Sequence, residues 1–332
     1  MTTHDLITPV LRTAVVIPSF KVKDHILDVI AGVGESVSRI YVVDDCCPQS
    51  SGHEVEQHCV DRRVRMIFNP VNLGVGGTVM VGYAAALADG MDIIVKVDGD
   101  GQMDPALIPG FIAPIQSGEA DYTKGNRFFN LEEISRMPGL RIFGNTTLSL
   151  MNKLSSGYWD LFDPTNGYTA IHSDVVRHLP MNKISPRYFF ETDMLFRLGT
   201  LRAVVVDIPM SARYGDEVSN LKVSAILGEF IGKHLRNMFK RLFYNYYLRD
   251  MSLASFELPL GLLLLIFGTV FGIFHWGLSL RTGIATSPGT VMLSALPILV
   301  GIQFILAFVG YDIQSVPRRP IHLQRRFLGR EL

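Results

Sequence analysis

Cysteine and tryptophan are scarce in this chain of 332 residues, with three of the first and two of the second. Cys46, Cys47 and Cys59 form neither a CxxC pair nor a Cys/His ligand spacing. That excludes a structural zinc site and a disulfide framework, and it fits a reducing compartment. Charge is thin at 19%, with 31 Lys and Arg against 31 Asp and Glu, so no net positive field marks a nucleic-acid binder. With 48% hydrophobic residues the chain is also no disordered segment. A GKS or GKT phosphate loop is missing. The glycine-rich stretch Asn72-Leu73-Gly74-Val75-Gly76-Gly77-Thr78 lacks GxGxxG spacing and follows the third apolar run instead of the first, so it is not a dinucleotide fingerprint. It reads as a glycine-rich helix start that packs closely beside a nucleotide. The opening MTTHDLITPVLRT has no apolar core of a signal peptide, so no export of the following residues is expected.

What is present is unevenly distributed. Residues 1–220 hold 19 Lys and Arg against 26 Asp and Glu, a net −7, while residues 221–332 hold 12 against 5, a net +7. Within the basic part, Leu258–Trp276 and Val291–Val309 contain no Asp, Glu, Lys or Arg. Each is close to the ~20 residues that cross a bilayer core, and a buried soluble helix of that length would show a polar stripe. Two transmembrane helices are expected, with Trp276 and Tyr311 at the interfaces. Lys233, Arg236, Lys240, Arg241 and Arg249 precede them, Arg318, Arg319, Arg325, Arg326 and Arg330 follow, and the connecting loop has Arg281 alone. The positive-inside rule then puts both flanks, and the 1–220 body with them, on the cytoplasmic side. Val223–Asp250 alternates apolar and basic residues at helical spacing, as an amphipathic helix does in a membrane interface or against the body or another subunit. Gly268 and Gly272 form a GxxxG match, which serves either a homo-oligomer or packing within the hairpin. The expected division is a catalytic body 1–220, juxtamembrane helices 221–252, two spans 253–311 and a basic tail 312–332.

In the body, β-branched runs at Ala14–Ile17, Ile40–Val43, Val64–Phe68, Ile93–Val97 and Val204–Ile208 alternate with helical stretches at Lys23–Ala31, Glu54–Val60, Gly77–Ala88 and Pro105–Ile115. This predicts an α/β fold, a mostly parallel sheet with helices on both faces. Ligands of such sheets bind beyond the carboxyl ends of the strands. There the chain places Pro18-Ser19-Phe20-Lys21, Asp44-Asp45, Asn69-Pro70-Val71-Asn72-Leu73-Gly74 and Asp98-Gly99-Asp100-Gly101-Gln102. Asp98 and Asp100 project to one side of an extended chain, and with the Gln102 amide they offer hard oxygens suited to Mg²⁺ or Mn²⁺ holding a diphosphate. A solvated acidic turn is the plain alternative.

The ordered motifs VVIPSF, VVDDCCPQSSG, NPVNLGVGG, VDGDGQMDP, KGNRF, LRIFGN, DPTNGY and PMSARYGDEVSNLK resemble those of the inverting family 2 glycosyltransferases of GT-A fold. Within them the likeness is to the polyprenyl-phosphate glycosyltransferases of the dolichol-phosphate mannose synthase kind, over roughly residues 12–223. The resemblance implies that Pro18, Asp44 and Asp45 meet the nucleoside of a nucleotide-sugar, with Asn72, Gly74 and Gly99 lining the donor. It implies that Asp98, Asp100 and Gln102 hold the metal. It also implies that Arg127, Arg141, Arg213 and Lys222 grip the donor diphosphate or the lipid phosphate, a task suited to the bidentate guanidinium fork. Phe20-Lys21-Val22 stands where the family commonly has Tyr-Asn-Glu, so base recognition does not carry over.

A lipid phosphate is already anionic near neutral pH, its second pKa lying at ~6, and needs little general-base help. The expected reaction is direct displacement at the anomeric carbon with inversion, the leaving diphosphate being neutralised by the metal site and the arginines. A saccharide hydroxyl acceptor would instead need a base, for which Glu191 or Asp193 stands ready. With tryptophan only at positions 159 and 276, the Gln-x-x-Arg-Trp motif of processive synthases is missing. An inactive nucleotide-sugar sensor or membrane scaffold is the reading of another class.

Overall fold

In a computed structural model the described residues are 11–129, 134, 139–211 and 223–328. They form two compact units, Met1–Asn237 with Pro317–Leu332, and Met238–Val316. Arg213 and Lys222 lie outside the described residues, as does the side chain of Arg141.

The first unit is built on a seven-stranded sheet in the order β3-β2-β1-β4-β6-β5-β7. Its strands are β1 (Thr13–Ser19), β2 (Arg39–Asp44), β3 (Val64–Phe68), β4 (Ile93–Lys96), β5 (Tyr122–Asn126), β6 (Thr169–His172) and β7 (Val205–Pro209). β6 runs antiparallel to β4 and β5, and the other pairings are parallel. The expected α/β architecture is borne out. The runs that form β1, β2 and β4 are buried on both faces, so apolar residues follow one another without alternation. On one face Val15, Ile17, Val42 and Val95 pack with Ile26 and Ile30 of α1 (Ile26–Ala31) and Phe111 and Ile115 of α4 (Ile108–Gln116). The remaining helices of this unit are α2 (Ser51–His58), α3 (Gly74–Ala88), α5 (Gly139–Ser156), α6 (Ser173–Val176), α7 (Phe190–Leu201), the larger part of α8 (Val223–Phe243) and α11 (Ile321–Leu328). β1 pairs with β4 only as far as Val16↔Lys96, two residues short of Pro18, which has no N–H to donate.

The tail after the apolar helices belongs to the first unit and is tied to the sheet. Asp121, at the start of β5, accepts from the backbone N–H groups of Ile321 (2.9 Å) and His322 (3.1 Å) and pairs with His322 Nδ1 at 2.7 Å. The His322 ring stacks on His172.

The second unit is dominated by α9 (Ala254–Thr282) and α10 (Pro288–Gln314), of 29 and 27 residues with mean hydropathy 2.1 and 2.3. They cover the predicted spans and are long and apolar enough to cross a membrane. Only 11% of each apolar window is buried, which argues against core helices of a soluble protein. The two pair as an antiparallel hairpin through small residues. A Cβ on Gly261 would lie 3.0 Å from Gly301 O, one on Gly268 would lie 2.7 Å from Ser294 O, and Ser294 Oγ donates to Gly268 O at 2.9 Å. The GxxxG glycines thus face the other helix of the same chain. Arg241, counted in the sequence among the basic flank, is buried: its fork meets Asp312 at 2.7 and 3.0 Å, and Tyr246 Oη joins the same carboxylate.

Candidate active site

At the carboxyl edge of β1 and β2, carboxylates meet backbone N–H groups. Asp44 accepts from Cys47 N and Gly52 N, each at 2.8 Å, and so shapes the loop into α2. Asp45 accepts from Leu73 N at 2.7 Å, Gly74 N at 2.9 Å and Asn69 Nδ2 at 3.1 Å, an anion set on the first turn of α3 where orphan donors and the helix dipole favour it. Asn72 Nδ2 reaches Asp45 O at 3.3 Å. Both carboxylates expected to meet the nucleoside thus fix the loops that follow β2 and β3.

The glycines of the α3 start pack closely, but against protein instead of leaving room beside a nucleotide. Gly76 N donates to Pro186 O at 2.9 Å, a Cβ on Gly76 would overlap Ser185 O, and Gly74 sits at φ +76 with Pro186 O only 2.5 Å from where its Cβ would be. Phe20 is half exposed at the end of β1, and the ammonium of Lys21 lies 5.5 Å from its ring centroid.

Beyond β4 the chain leaves the sheet at Lys96, and Gly99-Asp100 forms a turn instead of the extended pair expected. Gly99 is wedged among Ile17, Val22 and Ile26, Gln102 N donates to Asp100 Oδ1 at 3.0 Å, and Asp98 N points at Met103 Sδ. The charged neighbour that sequence reasoning missed is Lys96. Its ammonium, 1% exposed, is 2.8 Å from Asp98 Oδ1 and 3.6 Å from Glu191 Oε1 in the first turn of α7. Burial works against that ammonium, but Asp98 and Glu191 outweigh it and hold its pKa above the usual lysine value. Burial pushes the Glu191 carboxyl up, with Lys96 pulling the other way. Gly167 lies alongside, where a Cβ would collide with the ammonium and come within 2.9 Å of Asp98 Oδ2.

These residues fit a divalent ion. The donors are hard oxygens, and the glycine at 167 keeps a side chain from crowding Asp98 Oδ2 and the Lys96 ammonium beside it. Among the described residues no three His, Cys, Asp or Glu side chains converge as a metal cage. That suits an ion bound through one or two carboxylates with substrate phosphates completing its shell.

Beside this turn, at the end of β5, Arg127 is turned toward protein. Nε and Nη2 bind the two oxygens of Asp163, each at 2.7 Å, and Arg127 N adds a bond of 3.2 Å. Burial opposes the Asp163 charge, but the guanidinium outweighs it and holds that carboxyl below the usual range. Lys124 is buried with its ammonium on the carbonyls of Gly125, Phe162 and Asp163 and 2.9 Å from Asp207. The KGNRF and DPTNGY motifs are thus one clasp. Next to it opens a cavity of about 370 Å³ lined by Phe128, Phe129, Ile134, Ile142 and Phe162, with Asn126 and Thr146 its polar members.

Of the two candidate bases, Asp193 is engaged: Oδ2 accepts from Ser185 N at 2.9 Å and Oδ1 from Asn237 Nδ2 at 3.1 Å. Glu191 faces Lys96. The structure brings Asp98, Lys96 and Glu191 together, and separately Arg127 with Asp163. Only a lysine within an apolar run just before an acidic turn could have signalled the first group.

The Glycosyl transferase family 2 model matches residues 14–179. The chain is 26% identical over 205 residues to the undecaprenyl-phosphate mannosyltransferase of Micrococcus luteus, covering 60% of this chain and 83% of that one. It is 22% identical over 235 residues to the dolichol-phosphate mannosyltransferase of Pyrococcus furiosus, covering 69% of this chain and 63% of that protein. Among solved structures, glucosyl-3-phosphoglycerate synthase of Mycobacterium tuberculosis, crystallised with Mn²⁺, UDP-glucose and phosphoglyceric acid, superposes with TM-score 0.53 at 18% identity over 70% of this chain and 79% of that one. That likeness speaks for the fold.

Proposed function

Since the chain belongs to glycosyl transferase family 2, we propose that it moves a sugar from a UDP- or GDP-sugar to a polyprenyl phosphate at the cytoplasmic face of a membrane, with inversion. The observation that carries the acceptor reading is the aromatic and aliphatic cavity at the end of β5, beside the Arg127–Asp163 clasp. A saccharide would call for a polar lining, whereas an isoprenoid chain suits this one. The lipid-phosphate acceptors named for the Micrococcus and Pyrococcus relatives and the apolar α9–α10 hairpin support the same reading. Asp193, already engaged, and Glu191, held by Lys96, favour an acceptor that brings its own negative charge over one needing a base.

Asp98, Asp100 and Gln102 would hold Mg²⁺ or Mn²⁺, which supplies Lewis acidity to the departing diphosphate. The chain's own residues do the remainder. Asp45 and Asp44 set the cleft floor beneath the nucleoside, and the apolar cavity orients the lipid so that its phosphate meets the anomeric carbon. Arg141, Arg213 and Lys222 are the proposed grips on phosphate. With two crossings the body and the basic flanks share one side of the membrane.

The test is incubation of the purified full-length protein with undecaprenyl or dolichyl phosphate, Mg²⁺ or Mn²⁺ and a panel of UDP- and GDP-sugars, followed by mass spectrometry of the lipid. A glycosylated lipid phosphate is expected. Transfer confined to saccharide acceptors would overturn the acceptor reading.

A further inference from the structure

The fold does not demand a lysine at position 96. The strand otherwise reads Ile93, Ile94, Val95, and an unbranched apolar side chain would fill the same volume. Burying an ammonium is unfavourable unless carboxylates meet it, and here two do, Asp98 at 2.8 Å and Glu191 at 3.6 Å. One nitrogen thereby gathers an oxygen from each of two carboxylates, next to the turn that carries a third, Asp100. Without the ammonium, Asp98 and Glu191 would stand as uncompensated like charges beside the turn that carries Asp100. With it, one oxygen of Asp98 is already taken, and a fixed positive charge stands beside any arriving cation. The affinity of oxygen-ligand sites follows the charge of their ligands, so this arrangement weakens the protein's hold on a bare divalent ion.

We propose that Lys96, backed by Glu191, is a resident counter-cation that lets Asp98 and Asp100 take a divalent ion only together with the donor's diphosphate. The diphosphate oxygens supply the negative charge that Lys96 cancels. On the same grounds, once the nucleoside diphosphate has left, the carboxylates hold the ion only weakly. Lys96 and Glu191 are positioning residues in this scheme, acting through Asp98. The inference rests on the reading of Asp98 and Asp100 as the metal carboxylates.

The experiment is a Mn²⁺ titration of the full-length protein, with free Mn²⁺ followed by electron paramagnetic resonance, in the absence and presence of UDP or GDP. Lys96→Met should tighten nucleotide-free Mn²⁺ binding by at least ~10-fold, a conservative figure for removing a unit charge at an effective dielectric near 20. Glu191→Gln, which leaves Lys96 entirely to Asp98, should weaken it several-fold. A purely structural role would weaken both, so the opposite signs are the signature. Lys96→Met binding Mn²⁺ no tighter than the wild type overturns the proposal. If that variant does not fold, unchanged or tighter binding by Glu191→Gln overturns it equally. Asp98→Asn separates the two levels. Retained nucleotide-dependent Mn²⁺ binding in that variant refutes the metal-site reading itself, whereas its loss, with no gain in Lys96→Met, refutes the counter-cation alone.

Discussion

Replacing Arg127 by alanine asks whether this arginine serves the fold before it serves a phosphate. Its fork makes two bonds of 2.7 Å to Asp163, and Asp163 is 1% exposed. After truncation that carboxylate keeps Arg127 N at 3.2 Å and Asn166 Nδ2 at 3.3 Å, both near the upper limit of a good bond. Breaking a buried ion pair from one side costs about 3–5 kcal/mol. The Arg127 side chain is 27% exposed, so water already screens part of the pair, and the surviving donors offset more. The expected loss is therefore ~2–3 kcal/mol, at or below the lower bound of that range.

For a body of this size each kcal/mol moves the melting temperature by about 2–4 °C, so Arg127→Ala should melt on the order of 5–10 °C below the wild type. The assay is thermal unfolding of the detergent-purified protein, with sugar transfer measured well below the melt. Asp163→Asn placed on top of Arg127→Ala removes the stranded charge and should recover about half of the loss. An Arg127→Ala protein that melts like the wild type but transfers no sugar would refute this reasoning and return Arg127 to the phosphate.

Two further expectations follow from other elements. Burial holds the His172 and His234 imidazoles down to about 4, below the ordinary histidine value, so both are neutral in the folded protein. Their contribution, at most on the order of 3 kcal/mol each, is complete above about pH 6.5 and is lost as pH falls toward 4. Melts from pH 7.5 to 4.5 should show a falling melting temperature, with a smaller fall in His234→Phe. His322→Ala strands the fully buried Asp121 with backbone donors only, and should speed tryptic cleavage after Arg318 several-fold. Unchanged cleavage would show that the tail does not depend on this contact.

Residues that pack by local pattern were legible in the sequence, and residues that pair across the fold were not. The runs of β1, β2 and β4 are strands because each carries enough apolar surface to be covered on both faces, while those of β3 and β7 close the two edges of the sheet. β5 (Tyr-Thr-Lys-Gly-Asn) and β6 (Thr-Ala-Ile-His) escaped because they are short and their polar residues read as surface. Lys124 is buried only because three carbonyls and Asp207 converge on it from elsewhere in the chain. The glycine-rich start of α3 correctly announced close packing, yet its partner, Ser185–Pro186, is brought there by α7 and not by sequence proximity.

The same distinction sorts the carboxylates of the candidate site. Sequence places Asp44, Asp45, Asp163 and Asp193 in cleft-forming motifs, but the donors that engage them, Gly52, Leu73, Arg127 and Asn237 among them, come from segments whose meeting depends on topology. These four brace the loops and helix starts around them. A strand tip ending in acid therefore does not by itself tell which acid acts. The turn at 98–102, beside Gly167 and the charge of Lys96, is where we assign the donor chemistry, and Lys96, the residue least expected from an apolar run, is the counter-charge we propose there.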